Sequence, residues 1–90
     1  MALYYPFPPA RAYPLNKCLF ALKSDAAFRR QFLADPAQAL RAFPLDAEER
    51  QALLAGDAER LVALGAHPYL VFMARLRLDM EQQTQRYTYF

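Results

Sequence analysis

Leu53-Leu54-Ala55-Gly56-Asp57-Ala58-Glu59-Arg60-Leu61-Val62-Ala63-Leu64-Gly65-Ala66-His67-Pro68-Tyr69-Leu70 carries both glycines and the single histidine of this 90-residue chain. Glycine reaches the left-handed backbone region without a Cβ penalty, so Gly56 and Gly65 read as helix stops. Each stop is followed by a start. Asp57 suits an N-cap, and Pro68 suits a first helical position, where its missing N–H costs nothing. Two stop and start signals so close together predict short helices joined by tight bends. His67 falls at the second bend, where the imidazole either contacts a ligand or partner or hydrogen-bonds a backbone carbonyl across the turn.

Upstream of this stretch the same punctuation continues. Leu15, Cys18, Leu19 and Leu22 have the i, i+3, i+4, i+7 spacing that places four apolar side chains on one helical face. Ser24 is a candidate cap for a second helix ending near Ala34, with Phe28 and Phe32 inward and Arg29 and Arg30 toward solvent. Asp35-Pro36 opens a brief third helix that brings Leu40 and Phe43 to the core before Pro44. Asp46 and Glu49 have capping-box spacing for a fourth helix closed by Gly56. Glu48 and Glu49 then lie in a first turn, where they complement the helix dipole.

Downstream, Asp57 opens a fifth helix that Gly65 closes. Tyr69, Phe72, Met73, Leu76 and Met80 form an apolar stripe along a sixth helix from Pro68 to about Gln82, and that face needs a neighbour. Residues 1–13 carry three prolines, Pro6, Pro8 and Pro9, with several aromatics, and are expected to form an extended arm. Residues 83–90 are expected to form an aromatic tail in which Arg86-Tyr87-Thr88-Tyr89-Phe90 alternates like a strand, suited either to adding to a partner's sheet edge or to a frayed end. The expected architecture is all-α, a compact bundle of five to six short helices over residues 14–82, with an aromatic arm at each end. Tyr4, Tyr5 and Phe7 in one arm, and Tyr87, Tyr89 and Phe90 in the other, are candidate partner-binding residues.

Composition bounds the function. Ninety residues make one small domain, near the size at which a single core benefits from an oligomer or partner. The net charge of +2 arises from interspersed acids and bases, so no single-sign tail points to nucleic acid or an anionic membrane. Arg75, Arg77 and Arg86 near Tyr87 and Tyr89 are interrupted by Asp79 and Glu81. No segment is long enough to span a bilayer, and prolines interrupt the apolar run that a signal peptide needs, so the cytoplasm is the expected compartment. Cys18, the single cysteine, sits on the apolar helical face and reads as packing.

Catalysis by this chain alone lacks the residues. A ferrous site of the two-histidine, one-carboxylate kind needs two imidazoles, and a zinc site meets the same shortage. A dimer contributing two copies of His67 is the one arrangement that supplies a pair. Two isolated glycines do not make a phosphate-cradling loop.

The order of motifs carries more than any one of them. Tyr13-Pro14-Leu15-Asn16-Lys17 is followed by Phe28-Arg29-Arg30-Gln31-Phe32 with Ala34-Asp35, and then by Pro44-Leu45-Asp46-Ala47-Glu48-Glu49-Arg50. Leu53-Leu54-Ala55-Gly56-Asp57 and Leu64-Gly65-Ala66-His67-Pro68-Tyr69 complete the series. Over residues 13–72 this order resembles the small, LigA-like alpha subunit of extradiol aromatic-ring-opening dioxygenases of the protocatechuate 4,5-dioxygenase type.

The resemblance implies an all-helical, non-catalytic subunit that packs on a larger catalytic subunit and helps close its active site. It implies no cofactor on this chain and Fe(II) on the large subunit, held there by two histidines and a glutamate, where a catecholic ring is split with dioxygen. His67, Pro68 and Tyr69 would lie nearest the partner or its substrate. Two-subunit members carry a further substrate-covering segment past the last helix, to which residues 82–90 show no counterpart. The alternative is a free-standing LigA-like interaction module that homo-oligomerises and serves another enzyme or a peptide-modifying system.

Overall fold

Six helices follow the punctuation of the sequence in a computed structural model that describes residues 10–87, the last three as backbone only. A 3-10 turn, Ala10–Ala12, leads into α1 (Tyr13–Ser24), α2 (Ala26–Ala34), α3 (Pro36–Leu40), α4 (Ala47–Ala55), α5 (Ala58–Ala63) and α6 (Pro68–Tyr87). There is no strand among the described residues.

The ends of the helical part reach further than expected. Residues 10–13, assigned to the arm, are helical, because Pro14 occupies the first turn of α1, where no N–H is needed, and Ala12 is fully buried. Residues 83–87, assigned to the tail, continue α6, with no glycine or proline to stop it. The expected alternation at Arg86-Tyr87 is therefore helix. The remaining arm residues, with Tyr4, Tyr5, Phe7, Tyr89 and Phe90, lie outside the described residues, and only the backbone of Tyr87 lies within them.

The caps explain why the helices stop where they do. Asp25, rather than Ser24, caps α2. Ser24 is still the last residue of α1, whereas Asp25 has extended backbone and its carboxylate accepts from the Phe28 N–H at 3.1 Å. Asp35 does the same for α3, accepting from the Gln38 N–H at 3.3 Å, and Asp57 for α5, accepting from the Arg60 N–H at 3.1 Å. At α4 the capping box is complete: the Glu49 N–H donates to Asp46 at 2.8 Å, and the Asp46 N–H donates to Glu49 at 3.0 Å. Glu49 is buried, so its charge serves the helix end.

The core is built on α1. Leu15, Cys18, Leu19 and Leu22 are all at most 2 % exposed, as their spacing requires. Leu40 joins them from α3, Leu53 from α4, Leu61 from α5, and Val71 and Ala74 from α6. Phe43 reaches the core from the turn beyond α3 and meets Phe28 edge-on, with ring centroids 5.5 Å apart.

Arg29 does not face solvent. Its guanidinium donates to the last carbonyls of α1, Leu22 O at 3.1 Å and Lys23 O at 2.9 Å, while Nε lies 3.5 Å from Glu81 of α6. Helix ends leave four carbonyls without intrahelical partners, and an arginine satisfies two of them here.

The sixth helix departs most from expectation. Its core face is Val71 and Ala74, with Leu70 and Leu78 partly buried, and not the stripe of larger side chains. Tyr69, Phe72, Leu76 and Met80 are 53 %, 64 %, 40 % and 48 % exposed. The physical reason is close approach: α1 and α6 share the largest helix contact, and the small side chain of Ala74 lets the two backbones come together. α6 is therefore apolar on two opposite sides, one seated and one outward.

Candidate functional site

Two consecutive helices end on the same device, and the second end creates the bend at His67. After α4, Gly56 has φ 65°, its N–H donates to Leu53 O, and the Asp57 N–H donates to Ala52 O. After α5, Gly65 has φ 108°, its N–H donates to Val62 O, and the Ala66 N–H reaches back to Leu61 O at 2.9 Å. These are the paired backbone bonds of a Schellman ending, and the accompanying apolar contact is present in buried Leu61 and Ala66.

Asn16 fixes this bend against α1. Its side-chain N–H2 donates to Ala12 O at 3.0 Å and to Gly65 O at 3.1 Å, while its oxygen accepts from the His67 N–H at 2.7 Å. One amide thus joins the entry to α1, the end of α5 and the start of α6. The role was not read from the sequence, although an asparagine in the first turn of an apolar-faced helix, beside the Leu15 stripe, was a signal available there.

His67 is the residue before α6, and its imidazole closes the first turn: Nδ1 accepts from the Tyr69 N–H at 3.1 Å. The partner of Nδ1 is thus a backbone amide N–H. Accepting there requires Nδ1 to be unprotonated, which puts the proton of a neutral imidazole on Nε2. The rings of His67 and Tyr69 lie edge-to-face, with centroids 6.5 Å apart. His67 is half-buried, and Pro68 and Tyr69 are exposed, so the three expected site residues come together at one surface bend.

Tyr69 connects this bend to α1. The Lys23 ammonium lies 5.6 Å from the Tyr69 ring centroid and 5.3 Å from that of Phe20, bridging two exposed aromatics. Lys17 stands similarly over Tyr13, at 5.6 Å. On the other flank, Val62 of α5 and Pro68 and Phe72 of α6 line a shallow apolar groove with Glu59 and Arg75 at its edge. Away from the bend, a cleft of about 300 Å³ opens between α1, α2, α4, α5 and α6. Its walls are core side chains such as Leu19, Leu53 and Leu61, with Arg75 and Asp79 at the mouth.

Nucleophilic and metal chemistry find little support in this arrangement. The Cys18 thiol is fully buried, and desolvation pushes it up to about 12, so it stays protonated and shielded. The described residues contain no group of three His, Cys, Asp or Glu placed to hold a metal ion, and the chain has one histidine. The donor set does not fit a ferrous site of two histidines and a carboxylate. No helix among the described residues is long and apolar enough to cross a membrane.

Comparison with curated proteins and with solved structures gives no match. Residues 15–86 match the family described as "Aromatic-ring-opening dioxygenase LigAB, LigA subunit". That span runs from Leu15 at the start of the core to α6, and includes Asn16, both glycine-closed helix ends and the His67 bend. This chain belongs to the LigA subunit family of aromatic-ring-opening dioxygenases.

Proposed function

We propose that this chain is a non-catalytic small subunit that packs on an iron-bearing large subunit of an extradiol-type dioxygenase and helps close its active site. The observation that carries the reading is membership of the LigA subunit family over residues 15–86. The chemistry of the chain supports it. One half-buried imidazole already engaged at a helix start, and one protonated, buried thiol, make no acid, base or ligand set for ring opening. A helper subunit needs instead a rigid shape, because closing a pocket excludes water and strengthens the polar contacts inside it. The Asn16-anchored bend supplies one, holding His67, Pro68 and Tyr69 as partner-proximal or substrate-proximal groups. Iron and the chemistry of dioxygen belong to the large subunit in this reading, which takes place in the cytoplasm, and the terminal aromatic segments are additional partner contacts.

The test is reconstitution. The purified chain should carry no stoichiometric iron and open no catecholic ring. With an iron-bearing large subunit of the LigAB type it should elute as one complex and raise ring-opening activity. Failure to associate with any such subunit, or iron-dependent ring opening by the chain alone, defeats the proposal. A stable homo-oligomer that binds no large subunit supports the free-standing module instead.

A further inference from the structure

Leu54 is 50 % exposed, although Ala52 and Leu53 beside it are buried in the core. It belongs to a second face of α4. Ala47, Arg50, Gln51 and Leu54 have the i, i+3, i+4, i+7 spacing of one helical side, opposite the buried side of Glu49, Ala52 and Leu53. Ala37, Leu40 and Arg41 form a similar ridge along α3 and just past its end. Between the two ridges, which the turn Phe43-Pro44-Leu45 joins, lies an open groove of about 670 Å³, room for more than a single side chain. The small side chains of Ala37 and Ala47 keep it open, and Leu40, Phe43, Leu45 and Leu54 make its lining apolar.

The charges at the groove are of one sign. Among the described residues, two arginines and no carboxylate line it. Acids stand nearby in sequence, but each is engaged elsewhere. Asp35 caps α3, Asp46 and Glu49 complete the capping box of α4, and Glu48 pairs with Arg60 of α5 at 2.7 Å. Arg41 is exposed, and its guanidinium makes no hydrogen bond or ion pair with a described residue. Arg50 donates through Nη1 to the Leu45 carbonyl, which holds the guanidinium at the turn and leaves its other N–H groups open. A planar fork held in this way loses little freedom on meeting a carboxylate. Two copies of this chain docked groove to groove set four arginines together, whichever way their axis runs, so the complement is an acidic surface of another kind. An apolar trough between two helical ridges is the shape that receives the apolar side of a third helix.

We propose that this groove is a docking site for an acidic amphipathic helix of another protein. Its apolar side chains seat on Leu40, Phe43, Leu45 and Leu54, and its carboxylates pair with Arg41 and Arg50. The site uses no residue of α1, α5 or α6 and does not rest on the proposed function.

The probe is a phage-displayed library of random peptides of about 16 residues, roughly four helical turns. It is first depleted on the Arg41→Glu/Leu54→Gln double variant, which keeps every other surface, and then selected on the full wild-type chain. Both positions are exposed, and helical circular dichroism checks that the variant folds; if it does not, Arg41→Glu alone serves for depletion. The enriched peptides should carry several acids beside apolar residues at three- and four-residue spacing. As labelled synthetic peptides, read by fluorescence anisotropy, they should bind wild type at least about tenfold more tightly than Arg41→Glu or Leu54→Gln, and less tightly as salt rises. Arg41→Lys, which keeps the charge, should retain binding within about threefold, and Leu76→Glu on α6 within about twofold. No enrichment after depletion, enrichment without acidic bias, or equal affinity for Arg41→Glu overturns the proposal. A wild-type homodimer by light scattering that Arg41→Glu dissociates assigns the groove to a second copy and overturns it as well. None of these outcomes bears on binding to a large subunit, so the two readings fail separately.

Discussion

The backbone N–H of His67 donates to the side-chain oxygen of Asn16 at 2.7 Å, across 51 positions of sequence. Through this bond and its two companions, the bend before α6 is positioned by α1 rather than by its own residues. Replacing Asn16 with alanine removes three hydrogen bonds and leaves a part-buried carbonyl and amide unmatched. Asn16→Ala should destabilise the fold by about 2–3 kcal/mol in urea titration. A loss below about 0.5 kcal/mol would show that water replaces the side chain and that the bend holds itself.

His67 acts on α6 as an N-terminal cap through Nδ1. His67→Ala should cost about 1 kcal/mol, within the range for cap removal, and His67→Asn should recover most of it, because asparagine caps well. Thermal melting of the two variants decides this. If His67→Asn restores stability yet binding to a large subunit stays weak, the imidazole has a contact role beyond the cap.

The two helix-closing glycines differ in what they demand. Gly56 has φ 65°, inside the left-handed region, with open space where a Cβ would stand, so Gly56→Ala should cost about 1 kcal/mol. Gly65 has φ 108°, outside the left-handed well that other residues reach at some cost. Gly65→Ala should therefore cost more than Gly56→Ala, on the order of 2 kcal/mol. Equal losses in denaturant titrations would contradict the assigned geometry.

Cys18 should be silent to thiol reagents in the folded chain and titrate fully in denaturant, since burial raises the thiol from 9.0 to about 12. The sign of the linked stability follows. Between those values the unfolded chain releases the thiol proton and the folded chain keeps it, so this contribution is intact below pH 9 and is lost as pH rises toward 12. The loss is at most about 1.4 kcal/mol per pH unit, and Cys18→Ala should remove it. Wild type and Cys18→Ala compared at pH 8 and pH 10 test the difference.

Two arginines at similar-looking ion pairs should behave differently. Arg60 pairs with Glu48 at 2.7 Å with both side chains well exposed, and Glu48→Gln should change stability by less than about 0.5 kcal/mol. Arg29 is largely buried between α1 and α6, where it satisfies two helix-end carbonyls, and Arg29→Ala should cost about 2–3 kcal/mol. Urea midpoints of the two variants should separate clearly.

Much of the fold was legible in the sequence because local chemistry determines it. The glycines at 56 and 65, the capping aspartates at 35, 46 and 57, and the Leu15 to Leu22 stripe act within a few residues of themselves, and each did in three dimensions what its spacing implies. The shift of the α2 cap from Ser24 to Asp25 is a one-residue effect of how far α1 runs. The surface bend bringing His67, Pro68 and Tyr69 together was legible for the same reason.

What the tertiary structure alone decided depends on neighbours distant in sequence. Asn16 gained its role from the arrival of Gly65 and His67, and Arg29 was drawn from solvent by the end of α1 and by Glu81. The orientation of α6 was open because the helix is apolar on both sides, so periodicity marks two faces of comparable merit. Contact with α1 chose the slimmer one, where Ala74 permits close packing, and left Tyr69, Phe72, Leu76 and Met80 outward. Sequence determined where this chain turns; packing determined which of its apolar surfaces faces inward and which outward.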